Sequence, residues 1–138
     1  MSAEALAARI SSSGDRRWTD EQVIDAAEVT AFRALHGYDK KVSTDVAPPG
    51  FAAMLVQRAV LHVLHDAELD LAFDRNLHAA QSLEWMGPLR TGTLLTTTAR
   101  VENVRLRERA VFFDVQTVTT DGRGEVLRGV TTEAVRHG

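Results

Sequence analysis

The chain contains no cysteine, and this absence limits its chemistry. Without thiols it can form neither a disulfide nor a thiolate nucleophile, so a secreted disulfide scaffold is excluded. The N-terminal residues lack the basic and then apolar segments of a signal peptide. No apolar run reaches the roughly 18 to 20 residues that cross a bilayer. We therefore expect a cytoplasmic protein.

A strong excess of charge of one sign is also missing. The chain has 16 Lys and Arg against 19 Asp and Glu, a formal net charge of -3. Nucleic acid and anionic membranes attract basic surfaces, so we expect neither as a partner.

No linker, repeat or low-complexity block divides the 138 residues. We expect one domain over 1–138, with 1–15 loosely ordered.

The N-terminal half predicts a surface helix. Thr19 and Gln22 have the spacing of a capping box, and Gly37 offers a stop signal. A helix is therefore expected over 20–36, with one modest apolar face.

A second helix is predicted after the prolines Pro48 and Pro49. Proline excludes a helix immediately before it and is tolerated in a first helical turn. From Phe51 to Leu69 apolar residues cover most of the helix circumference. Such a helix is buried on most sides.

The C-terminal half switches to a period of two. Alternation and β-branched residues predict strands over 77–85, 94–104, 110–120 and 126–135. Four successive strands suggest an antiparallel meander. The simplest packing is an α+β fold in which this sheet wraps around the central buried helix.

These elements, in this order, resemble the MaoC-like hydratase/dehydratase family, which has the hotdog fold. The most specific segment is "QSLEWMGPLRTGTL", from Gln81 to Leu94. The resemblance covers 19–136 and is strongest to non-catalytic subunits and N-terminal modules of heterodimeric β-hydroxyacyl-ACP dehydratases. It implies a dimer of hotdogs with sheets paired edge to edge and acyl-thioester tunnels at the interface.

The resemblance also places the start of the central helix near the thioester carbonyl. That start is Pro49, Gly50 and Phe51, where free amide N–H groups and the positive end of the helix dipole would stabilise an oxyanion. The residues expected to contact substrate are Val46, Ala47, Pro48, Pro49, Gly50, Phe51, Met54, Leu55 and His78.

Catalytic family members carry an Asp and a His in a D-x-N-P-x-H loop before this helix. Here the segment reads "LHGYDKKVSTDVAPPG", in which Tyr38 replaces the Asp and no His follows. Dehydration needs a positioned acid and base. His36, Asp39 and Asp45 are weak substitutes, and a solvated loop is the favoured interpretation. We assign no catalytic residue.

The sequence thus predicts a subunit of a 3-hydroxyacyl-thioester dehydratase in fatty-acid or polyketide biosynthesis, on ACP or CoA. A catalytic hotdog partner would supply the Asp and His, although a homodimer stays possible. The alternatives are a stand-alone dehydratase with a relocated acid/base pair, or an acyl thioesterase. The central helix contains no Asp or Glu, which disfavours the thioesterase.

His62, His65 and Asp66 are close in sequence and form a candidate metal-binding cluster on a helix. An i, i+3 histidine pair still needs further ligands from elsewhere, so we expect no metal and no cofactor. Trp85 and Met86 are predicted to pack in the core or at an interface.

Overall fold

A computed structural model describes residues 2–35 and 44–136. The helices are α1 (Ala3–Ser11), α2 (Ala26–Leu35) and α3 (Gly50–Leu64), and a 3-10 turn covers Phe73–Arg75. The strands are β1 (Trp18–Val23), β2 (Asn76–Trp85), β3 (Leu94–Arg107), β4 (Ala110–Asp121) and β5 (Gly124–Arg136). The ends of β2 to β5 lie within three residues of the predicted strands. None of the described helices is long and apolar enough to span a bilayer.

The five strands form one antiparallel sheet in the order β1-β3-β4-β5-β2. The predicted meander is correct for β3, β4 and β5 but wrong for β2, which pairs with β5 and not with β3. Strands β5 and β4 lie between β2 and β3, so the connection from β2 to β3 crosses the end of the sheet. Its Leu89 is buried, and Gly92 donates from its amide to the Ile24 carbonyl at 2.8 Å.

The sheet wraps around α3, as the sequence predicted. This helix packs against β1, β3, β4 and β5, and eight of its 15 residues are buried. Alternate residues of the strands face it, among them Leu95, Phe113 and Val115, each 0% exposed. Burial of the apolar surface of α3 and of the sheet face that packs on it supplies the main stabilisation of the domain.

The N-terminus is more ordered than expected. In place of a loose segment over 1–15, α1 is a helix whose N-cap Ser2 accepts the Ala5 amide. Leu6 and Ile10 are buried, and α1 contacts β3 and β4. The apolar spacing of four residues, which places both side chains on one helical face, explains the difference.

The helix predicted over 20–36 is wrong in its first part, which is strand β1. Trp18 and Asp20 point inward and are 8% exposed, so the segment alternates as a strand does. Pairing with β3 overrides the local capping pattern. The helix α2 starts at Ala26, where Asp25 Oδ1 accepts the Glu28 amide at 2.7 Å.

The central helix ends five residues earlier than predicted, at Leu64 instead of Leu69. Asp66 stops it, because its Oδ1 accepts the amides of Glu68 and Leu69 at 2.8 and 3.3 Å. A side chain that bonds to nearby amides offers the backbone an alternative to helix. Arg16 and the indole of Trp18 also donate to this carboxylate.

Candidate functional site

The loop before α3 is held by the β2–β3 connection. Ala47 donates from its amide to the Leu89 carbonyl at 2.8 Å, and Val46 forms a β-bridge with Arg90. The Asp45 carbonyl accepts the Thr91 amide at 2.9 Å. These bonds fix the position at which the chain enters the helix.

The start of α3 offers fewer free amides than the sequence suggested. Its N-cap is Pro49, and no side chain caps it. The amides of Phe51 and Ala52 donate to the carbonyls of Pro48 and Pro49, both at 3.0 Å. Pro49 has no amide hydrogen, and the Phe51 amide is already bonded, so the helix start has fewer free N–H groups than expected. Within the described ranges, Gly50 N–H has no acceptor and is the remaining donor.

An aromatic ring from α2 covers this glycine. A Cβ at position 50 would lie 2.5 Å from Phe32 Cζ, so only glycine fits beneath the ring as it stands. The rings of Phe32 and Phe51 lie 5.0 Å apart at 54°. Beside them Arg33, 9% exposed, donates from Nη2 to the Val46 carbonyl at 3.3 Å. The helix start is therefore an apolar surface with one buried cation beside it.

Sequence reasoning missed Phe32 and Arg33 as parts of this site. Both lie on a helix that was predicted, but neither belongs to the apolar face assigned to it. Their contacts with Gly50 and Val46 join separate elements, and no local pattern encodes them.

Eight of the nine predicted substrate-contact residues come together here. Ala47, Pro48, Phe51 and Leu55 are buried, Val46 and Met54 are half-buried, and Pro49 and Gly50 are exposed. Leu55 is 0% exposed and can shape the surface only from behind. Asp45 is exposed in the same loop, whereas His36 and Asp39 lie outside the described residues.

His78 is the exception. It lies near the beginning of β2, seven residues before Trp85, which corresponds to about 23 Å along a strand. The loop before α3 is bonded to the connection that follows the end of β2. His78 Nδ1 instead donates to Glu133 Oε1 of β5 at 3.1 Å. Glu133 was also missed, although its in-phase position with Val135 in β5 was a readable signal.

The other carboxylates around α3 have structural partners. Asp20 accepts from Arg58 Nε at 3.1 Å and from His62 Nε2 at 2.9 Å. Burial raises the pKa of Asp20, but these two hydrogen bonds outweigh it, and the pKa lies below its ordinary value. Asp66 is engaged by Arg16 and Trp18. In the part of the chain that the structure describes, no group of three His, Asp or Glu side chains is placed to hold a metal ion.

Solved structures with the same architecture identify the class of fold. The HadBC (3R-hydroxyacyl-ACP dehydratase) complex from Mycobacterium tuberculosis matches with a TM-score of 0.69 and 18% identity, over 86% of this chain and 93% of that chain. A MaoC-like dehydratase from Rhodospirillum rubrum matches with a TM-score of 0.66 and 23% identity, over 91% and 92%. The predicted α+β hotdog fold is confirmed.

Sequence comparison gives the family. Residues 18–130 match the family described as "FAS1-like, dehydratase domain region", and the chain belongs to it. The predicted kinship with MaoC-like hotdog dehydratases is thereby confirmed. A UPF0336 protein of Cutibacterium acnes is 31% identical over 87 residues, which is 63% of this chain and 61% of the relative. The chain thus spans about three fifths of the length of the curated relatives it matches.

Proposed function

We propose that the chain is one subunit of a heterodimeric 3-hydroxyacyl-thioester dehydratase in fatty-acid or polyketide biosynthesis. It shapes the acyl tunnel, and a second hotdog chain supplies the Asp and His that move protons. The thioester is carried by ACP or CoA. The observation that carries the proposal is the segment 36–50, which reads "HGYDKKVSTDVAPPG" and has no D-x-N-P-x-H motif.

The remaining chemistry at the start of α3 supports binding without proton transfer. Gly50 N–H and the helix dipole can polarise a thioester carbonyl. Phe32, half-buried, packs against the buried Phe51, and the two rings make an apolar surface that suits an acyl chain. Elimination of water also needs a base and an acid within hydrogen-bond reach. In this chain the motif that holds them in catalytic relatives is missing.

The edge strand β2 supports a second hotdog chain as the partner. Leu77, Trp85 and Met86 are 62, 49 and 45% exposed along and just after this strand. An edge strand with exposed apolar side chains is a template for pairing with another strand. Trp85 and Met86 therefore do not pack in the core, and interface packing stays a prediction. The similar HadBC structure is, by its description, a complex.

Co-expression tests this function. The chain is purified alone and together with a neighbouring hotdog protein that carries D-x-N-P-x-H, and both samples are assayed with 3-hydroxyacyl thioesters. We expect the isolated chain to be inert and the copurified pair to eliminate water. Asp45→Asn in this chain should leave the rate of the pair unchanged.

Two other outcomes would contradict the proposal. Dehydration by the isolated chain, abolished by Asp39→Asn or Asp45→Asn, would establish a relocated acid/base pair. Hydrolysis of acyl-CoA by the isolated chain would establish a thioesterase.

A further inference from the structure

A buried carboxylate lies far from the start of α3. Glu133, on the inner face of β5, is 1% exposed. Its oxygens accept from Asn76 Nδ2 at 2.9 Å and from His78 Nδ1 at 3.1 Å, both on the edge strand β2. Removing a carboxylate from water is strongly unfavourable unless such partners compensate. The chain therefore keeps a carboxyl group at a position where an apolar residue would pack.

His78, beside Glu133, has one ring nitrogen that is not bonded to this carboxylate. Because Nδ1 is directed at Glu133, the Nε2 of His78 is available to a ligand, and the side chain is 42% exposed. Gln81, exposed on the same face, pairs in register with Thr131 of β5. We call Asn76, His78, Gln81, Thr131 and Glu133 the polar patch.

Two atoms of the polar patch lack hydrogen-bond partners. Asn76 Oδ1 and Thr131 Oγ1 are buried and unpaired with respect to the residues the structure describes. Thr131 is 0% exposed. Unpaired buried polar atoms are rare in proteins and commonly mark a bound water or ligand. They indicate that the polar patch accommodates a further polar group.

Strand pairing would bring the polar patch to the partner's thioester. In an antiparallel pair of edge strands, the beginning of one strand lies beside the end of the other. The end of β2 leads through Leu89 to the loop before the central helix. The beginning of β2, with His78, then faces the acyl chain of a thioester bound at the corresponding helix of a partner hotdog.

We propose that the polar patch recognises an oxygen atom on the acyl chain beyond the 3-hydroxyl group, so that the dehydratase prefers 3-hydroxyacyl thioesters that carry this additional oxygen. His78 Nε2 and the Gln81 amide bind the oxygen, and Glu133 is a positioning residue that fixes the imidazole ring. This inference rests on the proposed function, because it places the substrate between two hotdog chains.

A pair of matched substrates tests this inference on the copurified complex. The probes are N-acetylcysteamine thioesters of 3-hydroxyoctanoate and 3,5-dihydroxyoctanoate, which differ by one hydroxyl. We expect kcat/KM to favour the dihydroxy substrate by about tenfold, because a site built for a hydroxyl rejects the analogue that lacks it. His78→Leu should bring the ratio close to one. The ratio does not depend on how much of the variant is folded.

His62→Leu is the matched control. His62 is 51% exposed and also bonds a buried carboxylate, Asp20, but lies on α3 away from β2. We expect this variant to keep the wild-type ratio. Gln81→Leu, at an exposed position, replaces His78→Leu if the latter fails to fold, and should lower the ratio. A wild-type ratio below about twofold, or a ratio that neither variant changes, would overturn the inference.

A binding measurement separates this inference from the proposed function. The imidazole NMR signals of His78 are recorded on the copurified complex with 5-hydroxyoctanoyl and octanoyl N-acetylcysteamine thioesters. We expect a shift with the hydroxylated ligand only. Equal spectra would refute oxygen recognition, whereas an inactive complex whose His78 still responds would refute only the dehydratase assignment.

Discussion

At the scale of single residues, the packing at the start of α3 requires a glycine at position 50, beneath the ring of Phe32. Gly50 supplies the one amide of this helix start that has no acceptor among the described residues, and Phe32 lies so close that a Cβ would approach its Cζ to 2.5 Å. The ring of Phe51 packs against the same Phe32 ring, with the centroids 5.0 Å apart. The same contact thus leaves one donor accessible and keeps its surroundings apolar.

Gly50→Ala tests this contact. Phe32 must move to make room for the methyl group, so we expect the free energy of unfolding to fall by about 1–2 kcal/mol in urea titrations. In a Phe32→Leu background the clash is relieved, and the same substitution should be neutral or slightly stabilising, because alanine favours helix. Equal stability of Gly50→Ala and wild type would show that the Phe32 ring moves aside without a cost in free energy.

At the scale of elements, Asp66 joins the end of α3 to the beginning of β1. Its carboxylate, 12% exposed, accepts from Arg16, from Trp18 and from two amides of the following turn. The guanidinium of Arg16 also lies 4.8 Å from the Trp18 ring centroid. One side chain therefore ends the helix and fixes the first strand against it.

The pH dependence of stability should report this contact. The hydrogen bond from Arg16 holds the pKa of Asp66 well below its ordinary value, although burial opposes it. A carboxyl whose pKa is lower in the folded state stabilises that state above the unfolded pKa of about 3.9, and this stabilisation is lost as the pH falls further. The contribution of Asp66 is thus complete at pH 7 and declines below about pH 4.

Asp66→Asn should therefore lower the free energy of unfolding by about 1–2 kcal/mol at pH 7, since solvent screens the partly exposed Arg16. At about pH 3, urea titrations should give a smaller difference in the free energy of unfolding between Asp66→Asn and wild type. Asp70→Asn is the control: Asp70 is 82% exposed and lies 3.6 Å from Arg9, a surface pair that contributes little. A difference that is constant with pH would contradict the role given to the Asp66 charge.

At the scale of the whole molecule, the free edge of β2 is the feature that points beyond the single chain. The strand carries exposed apolar side chains, and together with β5 it forms the polar patch. Pairing at this edge would continue the sheet and cover both. The same strand thus bears on assembly and on substrate choice.

Leu77→Lys tests assembly at this edge. A lysine on an edge strand opposes pairing, and Leu77 is 62% exposed, so the fold should tolerate it. In size-exclusion chromatography with light scattering, we expect loss of the complex with an unchanged melting temperature of the chain. Leu35→Lys, at an 82% exposed position on α2, should leave the complex intact. Loss of the complex in both variants would argue against a β2 interface.

The sequence by itself determined the buried central helix, the positions of β2 to β5 and the family. These features depend on hydrophobic periodicity and on local motifs, which neighbouring residues encode without help from the rest of the chain. The absence of the D-x-N-P-x-H motif is also a property of the sequence alone.

Only the tertiary structure decided that Thr19 to Gln22 is a strand, that β2 joins β5, and that Phe32 covers Gly50. It also paired His78 with Glu133, 55 residues apart in the chain. Each of these features is stabilised by a contact between distant segments. Such contacts outweigh local preferences, which differ by only about 1 kcal/mol per residue.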